Sequence, residues 1–107
     1  MSRAFEGAVI DALPGATKNT ATLTVDGLGN SVPDLISALG DVTEIKNVVN
    51  LSFTKQLQIQ AQAADGSFNL IVSPRTQYIS GPLQDAVSAS GGTIRIYNPA
   101  TRTFTTW

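Results

Sequence analysis

The stretch LSFTKQLQIQAQAADGSFNLIV, residues 51 to 72, decides the fold that the sequence predicts. From Leu51 to Ala63 the odd positions are apolar except for Lys55, and the even positions hold Ser, Thr and Gln. A period of two places alternate side chains on opposite faces of a β-strand. Gln, Leu and Ala favour helices by propensity, but a helix would scatter these apolar residues around its circumference. We therefore predict one long strand with a buried odd-numbered face.

The dipeptide Asp65-Gly66 predicts that this strand turns back on itself, because both residues tolerate the positive φ of a tight hairpin turn. A two-residue loop would pair Ala63 with Phe68 and Ala61 with Leu70, which are all apolar. Residues 51 to 72 therefore predict a long β-hairpin with the glutamines of its first strand together on the other face.

The rest of the chain supplies shorter elements around this hairpin. Ser31-Val32-Pro33-Asp34 has the spacing of a helix capping box, with Gly40 as the stop, and Ser80-Gly81-Pro82 begins a similar helix that ends at Gly91-Gly92. Strands are predicted at residues 21–25, 93–97 and, after the turn at Asn98-Pro99, at 101–107.

The element order predicts a single α+β domain over residues 1–107, mostly β, in the order βαββαββ. About five strands would form an antiparallel sheet, with two short helices on one face. The alternative is a β-sandwich or barrel with two helical turns. Residues 1–20 are expected to be an N-terminal arm or an extra strand.

Composition argues against several functions. Seven Lys and Arg against eight Asp and Glu leave a net charge of −1, which disfavours nucleic acid as a partner. No apolar run reaches the roughly 20 residues that span a bilayer, and MSRAFEGAVIDAL lacks an export signal, so we expect no membrane partner and a cytoplasmic location unless the protein is part of a virion.

Catalytic chemistry is also poorly supported. The chain has no Cys and no His, which removes thiol chemistry, the commonest general base and the commonest transition-metal ligand. The eight carboxylates lie scattered along the chain. We therefore predict that the protein is not an enzyme, with no catalytic, cofactor-binding or metal-binding residues and no cofactor.

The glutamine face of the predicted hairpin suggests a contact with another protein. Gln both donates and accepts hydrogen bonds, and interface cores are depleted in charge. A solvated face is the alternative. The residues predicted to form a protein interface are Gln56, Gln58, Gln60, Gln62, Asn69, Ile71, Thr103, Thr105 and Trp107.

In general character the chain resembles bacteriophage virion structural proteins, because it is small, weakly charged, free of Cys and His, and rich in Thr, Ala, Gln and Gly. The resemblance implies a non-enzymatic capsid-decoration or head or tail assembly subunit in the virion. Its partners would be other copies of itself and other structural proteins.

A second resemblance supports a different function. Leu23-Thr24-Val25-Asp26-Gly27-Leu28 resembles the first strand and turn of an RNA-recognition motif, although Thr24 stands where that family has a base-stacking aromatic residue. It implies the alternative, a small monomeric module that binds a ligand or nucleic acid on an open sheet face.

Overall fold

The computed structural model of the protein describes the backbone of residues 2–107 and the side chains of residues 4–107. The helices are α1 (Ser2–Ala12), α2 (Lys55–Ala63) and α3 (Gly81–Ala89). The strands are β1 (Leu23–Val25), β2 (Gly29–Ser31), β3 (Leu35–Ile36), β4 (Val42–Lys46), β5 (Asn50–Leu51), β6 (Phe68–Val72), β7 (Tyr78–Ile79), β8 (Ile94–Asn98) and β9 (Thr103–Thr106).

The main sheet has five strands in the order β3-β4-β6-β8-β9, which confirms the α+β class. The prediction of an antiparallel sheet is wrong, because β4, β6 and β8 run parallel and only the edge strands β3 and β9 run antiparallel to their neighbours. Helices α2 and α3 lie in the connections between the parallel strands, and such crossover connections are what parallel pairing requires. Two small sheets, β1-β2 and β5-β7, complete the fold.

Helices pack on both faces of the main sheet. On one face Leu57 of α2 and Leu83 of α3 join the apolar side chains of β4 and β6. On the other face Phe5 and Val9 of α1 pack against Ile71 of β6 and its neighbours. Residues 2–12 are therefore a packed helix, not the predicted arm or extra strand. Of the two helices predicted on one face only α3 forms; α2 lies beside it on that face, and α1 packs on the other. No helix within residues 2–107 is long and apolar enough to cross a bilayer.

The predicted strand over residues 51–63 is wrong over most of its length, because Lys55–Ala63 is helix α2. The Thr54 hydroxyl accepts a hydrogen bond from the Leu57 amide at the start of this helix. Leu57 and Gln60, three residues apart, are both completely buried, as helical spacing allows. The two-residue alternation consisted of residue types that favour helices, and with a capping residue in front their propensity decided the structure.

Asp65-Gly66 is consequently not a hairpin turn but the connection from α2 to β6, and the paired register predicted across it does not form. The Gly66 amide donates a hydrogen bond to the Gly40 carbonyl at 2.9 Å. The capping box at Ser31–Asp34 does not start a helix either, since Leu35–Ile36 is strand β3.

Elements with strong local signals form as predicted. Strand β1 lies within the predicted residues 21–25, and Ser80 caps α3, which has Pro82 in its first turn. The chain leaves α3 through Gly91, which has φ +79°. Strands β8 and β9 form the predicted antiparallel pair at one edge of the sheet. Local capping and turn chemistry therefore placed these elements correctly.

Candidate active site

Asp34 and Glu44 form a pair of carboxylates, the acidic pair, on the hairpin of β3 and β4. Residues 35 and 43 are partners in this hairpin, so Asp34 and Glu44 come next in the same register. The Asp34 amide donates to Glu44 Oε1 at 3.1 Å, and the Ile45 amide donates to Asp34 Oδ2 at 2.8 Å. Both residues are buried, with exposed fractions of 7% and 6%.

The tight turn between β3 and β4 determines this register. Gly40 adopts φ +84°, and its amide donates to the Ser37 carbonyl at 2.9 Å. Asp41 Oδ1 then accepts hydrogen bonds from the amide and hydroxyl of Ser67, which connects the turn to the start of β6. The hydrogen bonds from Ser67 hold the pKa of Asp41 below its usual value.

The acidic pair has an unusual electrostatic balance. Burial, together with the nearby charge of Asp34, raises the pKa of Glu44 to about 7. Burial alone would also raise the pKa of Asp34, but hydrogen bonds from Lys18 and from the Ile45 amide lower it overall. Asp34 therefore keeps its charge more readily than usual, and Glu44 holds a proton more readily because it is buried and lies beside the charge of Asp34.

Two ammonium groups lie beside the acidic pair. Lys46, two residues after Glu44 on β4, places Nζ 3.5 Å from Glu44 Oε2. Lys18 Nζ contacts Asp34 and lies 2.8 Å from Glu6 Oε2, so it joins helix α1 to the pair. The Asp34 contact and the Glu6 contact hold the pKa of Lys18 above its usual value despite partial burial. The site therefore combines buried acids with partly exposed bases.

A buried amide lies in the layer next to this hairpin. Gln60 of α2 is fully buried, and its Nε2 donates to the Ser31 hydroxyl at 3.0 Å, three residues before Asp34. Its Oε1 has no hydrogen-bond partner within the described part of the chain. Leaving a buried acceptor without a hydrogen bond is energetically costly, so Gln60 Oε1 is an unfavourable feature of this layer.

The acidic pair fits a divalent cation such as Mg²⁺ or Mn²⁺. Carboxylate oxygens are the ligands that these ions prefer, and the β3–β4 hairpin brings the carboxylates of Asp34 and Glu44 together. Among the described residues no group of three acidic, histidine or cysteine side chains could enclose a metal ion. Two carboxylates suffice for Mg²⁺, which commonly keeps several waters and binds substrate phosphate as well.

The sequence model of one protein family, described as restriction endonuclease fold toxin 7, matches residues 3–83, about three quarters of the chain. The chain belongs to this family. The matched residues include Glu6, Lys18, the acidic pair and Lys46. No curated protein and no solved structure matches the chain.

Membership in a restriction-endonuclease-fold toxin family overturns the functional predictions made from composition. The resemblance to phage virion structural proteins is wrong, as are the predicted capsid or tail assembly role, the structural partners and the absence of enzyme activity. A low net charge does not exclude a nucleic acid substrate, because the charges that matter can be local. The nucleic-acid alternative agrees better with the family, although α1 covers one face of the sheet and α2 with α3 covers the other.

The acidic pair was not predicted from the sequence because its members are ten residues apart. That separation is neither helical nor strand spacing, and the pair forms only once a β-hairpin sets the register between Leu35 and Thr43. One signal was available: Glu44-Ile45-Lys46 places an acid and a base on the same face of a strand. The helix predicted from the capping box at Ser31–Asp34 to the stop at Gly40 took the place of the β3–β4 hairpin, so the contact between Asp34 and Glu44 was not predicted.

The structure separates the nine residues predicted as a protein interface. Gln56 and Gln62 are exposed on α2, whereas Gln60 is buried inside the chain. Ile71 is 1% exposed and packs under α1. Asn69 is partly buried and donates to the Val42 carbonyl at 3.1 Å. The remaining predicted residues are Gln58, partly buried on α2, and Thr103, Thr105 and Trp107, which are exposed on or next to β9. They do not form one stripe, and their role in an interface stays a prediction.

Proposed function

We propose that this protein is a metal-dependent nuclease toxin that hydrolyses phosphodiester bonds, with Asp34, Glu44 and Lys46 as its active-site residues. The observation that carries the proposal is the buried acidic pair with the Lys46 ammonium beside it, in a chain of a restriction-endonuclease-fold toxin family. Asp34 and Glu44 would hold the cation. When bound, a divalent cation polarises a phosphoryl oxygen and lowers the pKa of bound water.

Lys46 has the chemistry to act on the substrate. Its side chain is about one-third exposed, whereas Glu44 beside it is buried, so the ammonium lies between the acidic pair and solvent. The separation of 3.5 Å is longer than a normal hydrogen bond, which leaves the ammonium protons available. Lys46 can therefore donate to a phosphate oxygen, where negative charge increases in the transition state, or hold a water next to it.

The backbone keeps the carboxylates in place for this work. The Ile45 amide orients Asp34 through Oδ2, and the Asp34 amide orients Glu44 through Oε1. The second oxygens, Asp34 Oδ1 and Glu44 Oε2, are directed towards the ammonium groups of Lys18 and Lys46 and not towards the backbone. Glu44 lies on β4, an inner strand between β3 and β6, and Asp34 directly precedes β3, so paired strands hold both acids.

Cleavage of plasmid DNA and of folded RNA by purified protein, with and without Mg²⁺ or Mn²⁺, tests the proposal. Asp34→Asn and Lys46→Met should each reduce metal-stimulated cleavage by roughly a hundredfold or more. Lys55→Met removes an exposed lysine at the start of α2 and should cleave like the wild type. Expression of the wild type, but not of Asp34→Asn, should stop bacterial growth.

Two results would reject the proposal. One is a folded wild-type protein that cleaves neither DNA nor RNA at any concentration of either metal. The other is cleavage that persists in Asp34→Asn at the wild-type rate, because a contaminating nuclease would then be its source.

A further inference from the structure

Lys18 binds the carboxylate oxygen that a cation at the acidic pair needs. Asp34 Oδ2 already accepts the Ile45 amide at 2.8 Å, which leaves Oδ1 as its free oxygen. The Lys18 ammonium contacts this Oδ1. A divalent cation at Asp34 and the Lys18 ammonium would therefore compete for the same atom.

Helix α1 supplies the second half of this contact. Glu6 Oε2 lies 2.8 Å from Lys18 Nζ, so the ammonium is held by one acid from α1 and one from the β3–β4 hairpin. Charge-assisted hydrogen bonds of this kind are among the stronger polar interactions in proteins. The contact joins the site to a helix that contributes neither member of the acidic pair.

The Lys18 side chain lies at the protein surface, where it can move into solvent. It lies in the segment between α1 and β1, which has no helix or strand at this position, and its side chain is 47% exposed. The carboxylates it would leave behind are much less exposed, at 26% for Glu6 and 10% for Asp34. An ammonium that is half in water exchanges its protein partners for water easily.

The local charge balance favours this exchange. Glu6, Asp34 and Glu44 carry three negative charges when ionised, against two positive charges on Lys18 and Lys46, so the cluster is negative by one. Without Lys18 in place the cluster would be negative by two. A divalent cation matches that charge, whereas with Lys18 in place it would overcompensate the cluster.

We propose that Lys18 is a built-in competitor for the divalent cation: it caps Asp34 in the metal-free protein and must move into solvent before a cation binds. The proposal rests on the proposed function and adds the control of its metal affinity. Glu6 holds Lys18 in the capping position. The metal-free enzyme is thereby kept inactive until the free cation concentration is high enough to displace the lysine.

Calorimetric titration with Mn²⁺ and with Mg²⁺, in the absence of nucleic acid, tests the competition. Lys18→Met should bind Mn²⁺ about tenfold more tightly than the wild type, since one charge-assisted contact no longer has to be broken. Lys55→Met makes the same change of net charge on exposed α2 and should leave the affinity unchanged. Affinity in Lys18→Met that equals or falls below that of the wild type overturns the proposal.

Two further measurements do not depend on Lys18→Met being folded. Glu6→Gln leaves Lys18 with only one carboxylate, so it should tighten Mn²⁺ binding about threefold; unchanged or weaker binding contradicts the role given to Glu6. In the wild type labelled with ¹⁵N-lysine, the ammonium signal of Lys18 should be visible without metal and lost when Mg²⁺ is added. A Lys18 signal that persists at saturating Mg²⁺ contradicts the proposal.

Asp34→Asn separates this inference from the proposed function. If the wild type binds Mn²⁺, Asp34→Asn does not, and Lys18→Met behaves like the wild type, only the competition is refuted. If the folded wild type and Lys18→Met both fail to bind either cation, the metal-dependent function itself is refuted.

Discussion

Replacing Glu44 with Gln should make the protein more stable at pH 8 while abolishing its activity. The pKa of Glu44 rises from 4.5 to about 7 on folding, because the side chain is buried and lies next to Asp34. This rise in pKa means that the charged carboxylate destabilises the folded protein by about 3 kcal/mol. The Gln amide is also polar and buried, which is itself unfavourable, so Glu44→Gln should raise the free energy of unfolding by about 2 kcal/mol.

The sign of the effect sets its pH window. The folded protein binds the Glu44 proton more tightly than the unfolded chain, so the wild type loses stability as the pH rises from 4.5 towards 7. Gln does not titrate. The free energies of unfolding of the wild type and Glu44→Gln should therefore differ little through this ionisation at pH 4.5. The difference should grow up to pH 7 and stay constant above it. The pKa of Asp34 is lowered from its usual value of 3.8 on folding, so Asp34 changes the free energy of unfolding only below pH 3.8, outside this window.

Urea unfolding at several pH values between 4.5 and 8.5 measures the difference. A gain of about 2 kcal/mol should raise the urea midpoint at pH 8 by about 1 M. Addition of Mg²⁺ should stabilise the wild type and narrow the gap, because the cation binds the folded state. Asp85→Asn, on the exposed side of α3, is the control for the loss of one surface carboxylate. If Glu44→Gln is less stable than the wild type at pH 8, or if the difference is the same at pH 4.5 and 8, the electrostatic account of the acidic pair is wrong.

Two further predictions concern the frame of the site. Asp41→Asn should destabilise the protein at pH 7, and the loss should become smaller as the pH falls below 3.8. The hydrogen bonds from Ser67 lower the pKa of Asp41 in the folded protein, so its carboxylate stabilises the fold above the pKa of the unfolded chain. Urea unfolding at pH 7 and pH 3 measures the difference, and an equal loss of stability at both pH values refutes the prediction. Gly92→Ala should lower the free energy of unfolding by about 3 kcal/mol or more, because the added Cβ would lie 1.9 Å from the Phe68 carbonyl oxygen. Gly91→Ala, at φ +79° in open space, should lower it by about 1 kcal/mol. Similar losses of stability in both variants would contradict the packing at Gly92.

The sequence predicted elements whose signals are local and failed where partners are distant. Ser80, Pro82 and the glycines after α3 specify that helix through adjacent residues alone. The Asn98-Pro99 turn specifies the β8–β9 pair in the same way. The burial of Gln60 depends instead on Ser31, which is 29 positions away in the chain, and no short-range pattern contains that contact.

The β3–β4 hairpin shows why the candidate site was hidden. Ser31–Asp34 satisfied the rules for a capping box, but two residues of β3 gain more from pairing with Thr43 and Val42 than from a short isolated helix. Once the hairpin exists, its register alone brings Asp34 to Glu44. Because β3 was predicted as a helix, the contact between Asp34 and Glu44 was not predicted, although both residues and Lys46 are present in the sequence.

The two members of the acidic pair should affect stability in opposite directions, and this distinguishes a cation site from an ordinary buried polar contact. Glu44 is destabilising when charged, so its amide replacement stabilises the fold at neutral pH. Asp34 is held charged by Lys18 and the Ile45 amide, so Asp34→Asn should destabilise the fold. Both replacements should nevertheless abolish cleavage, because each removes a carboxylate oxygen. A contact that served only the fold would not place an acid at Glu44, where the charged form opposes folding until a cation offsets it.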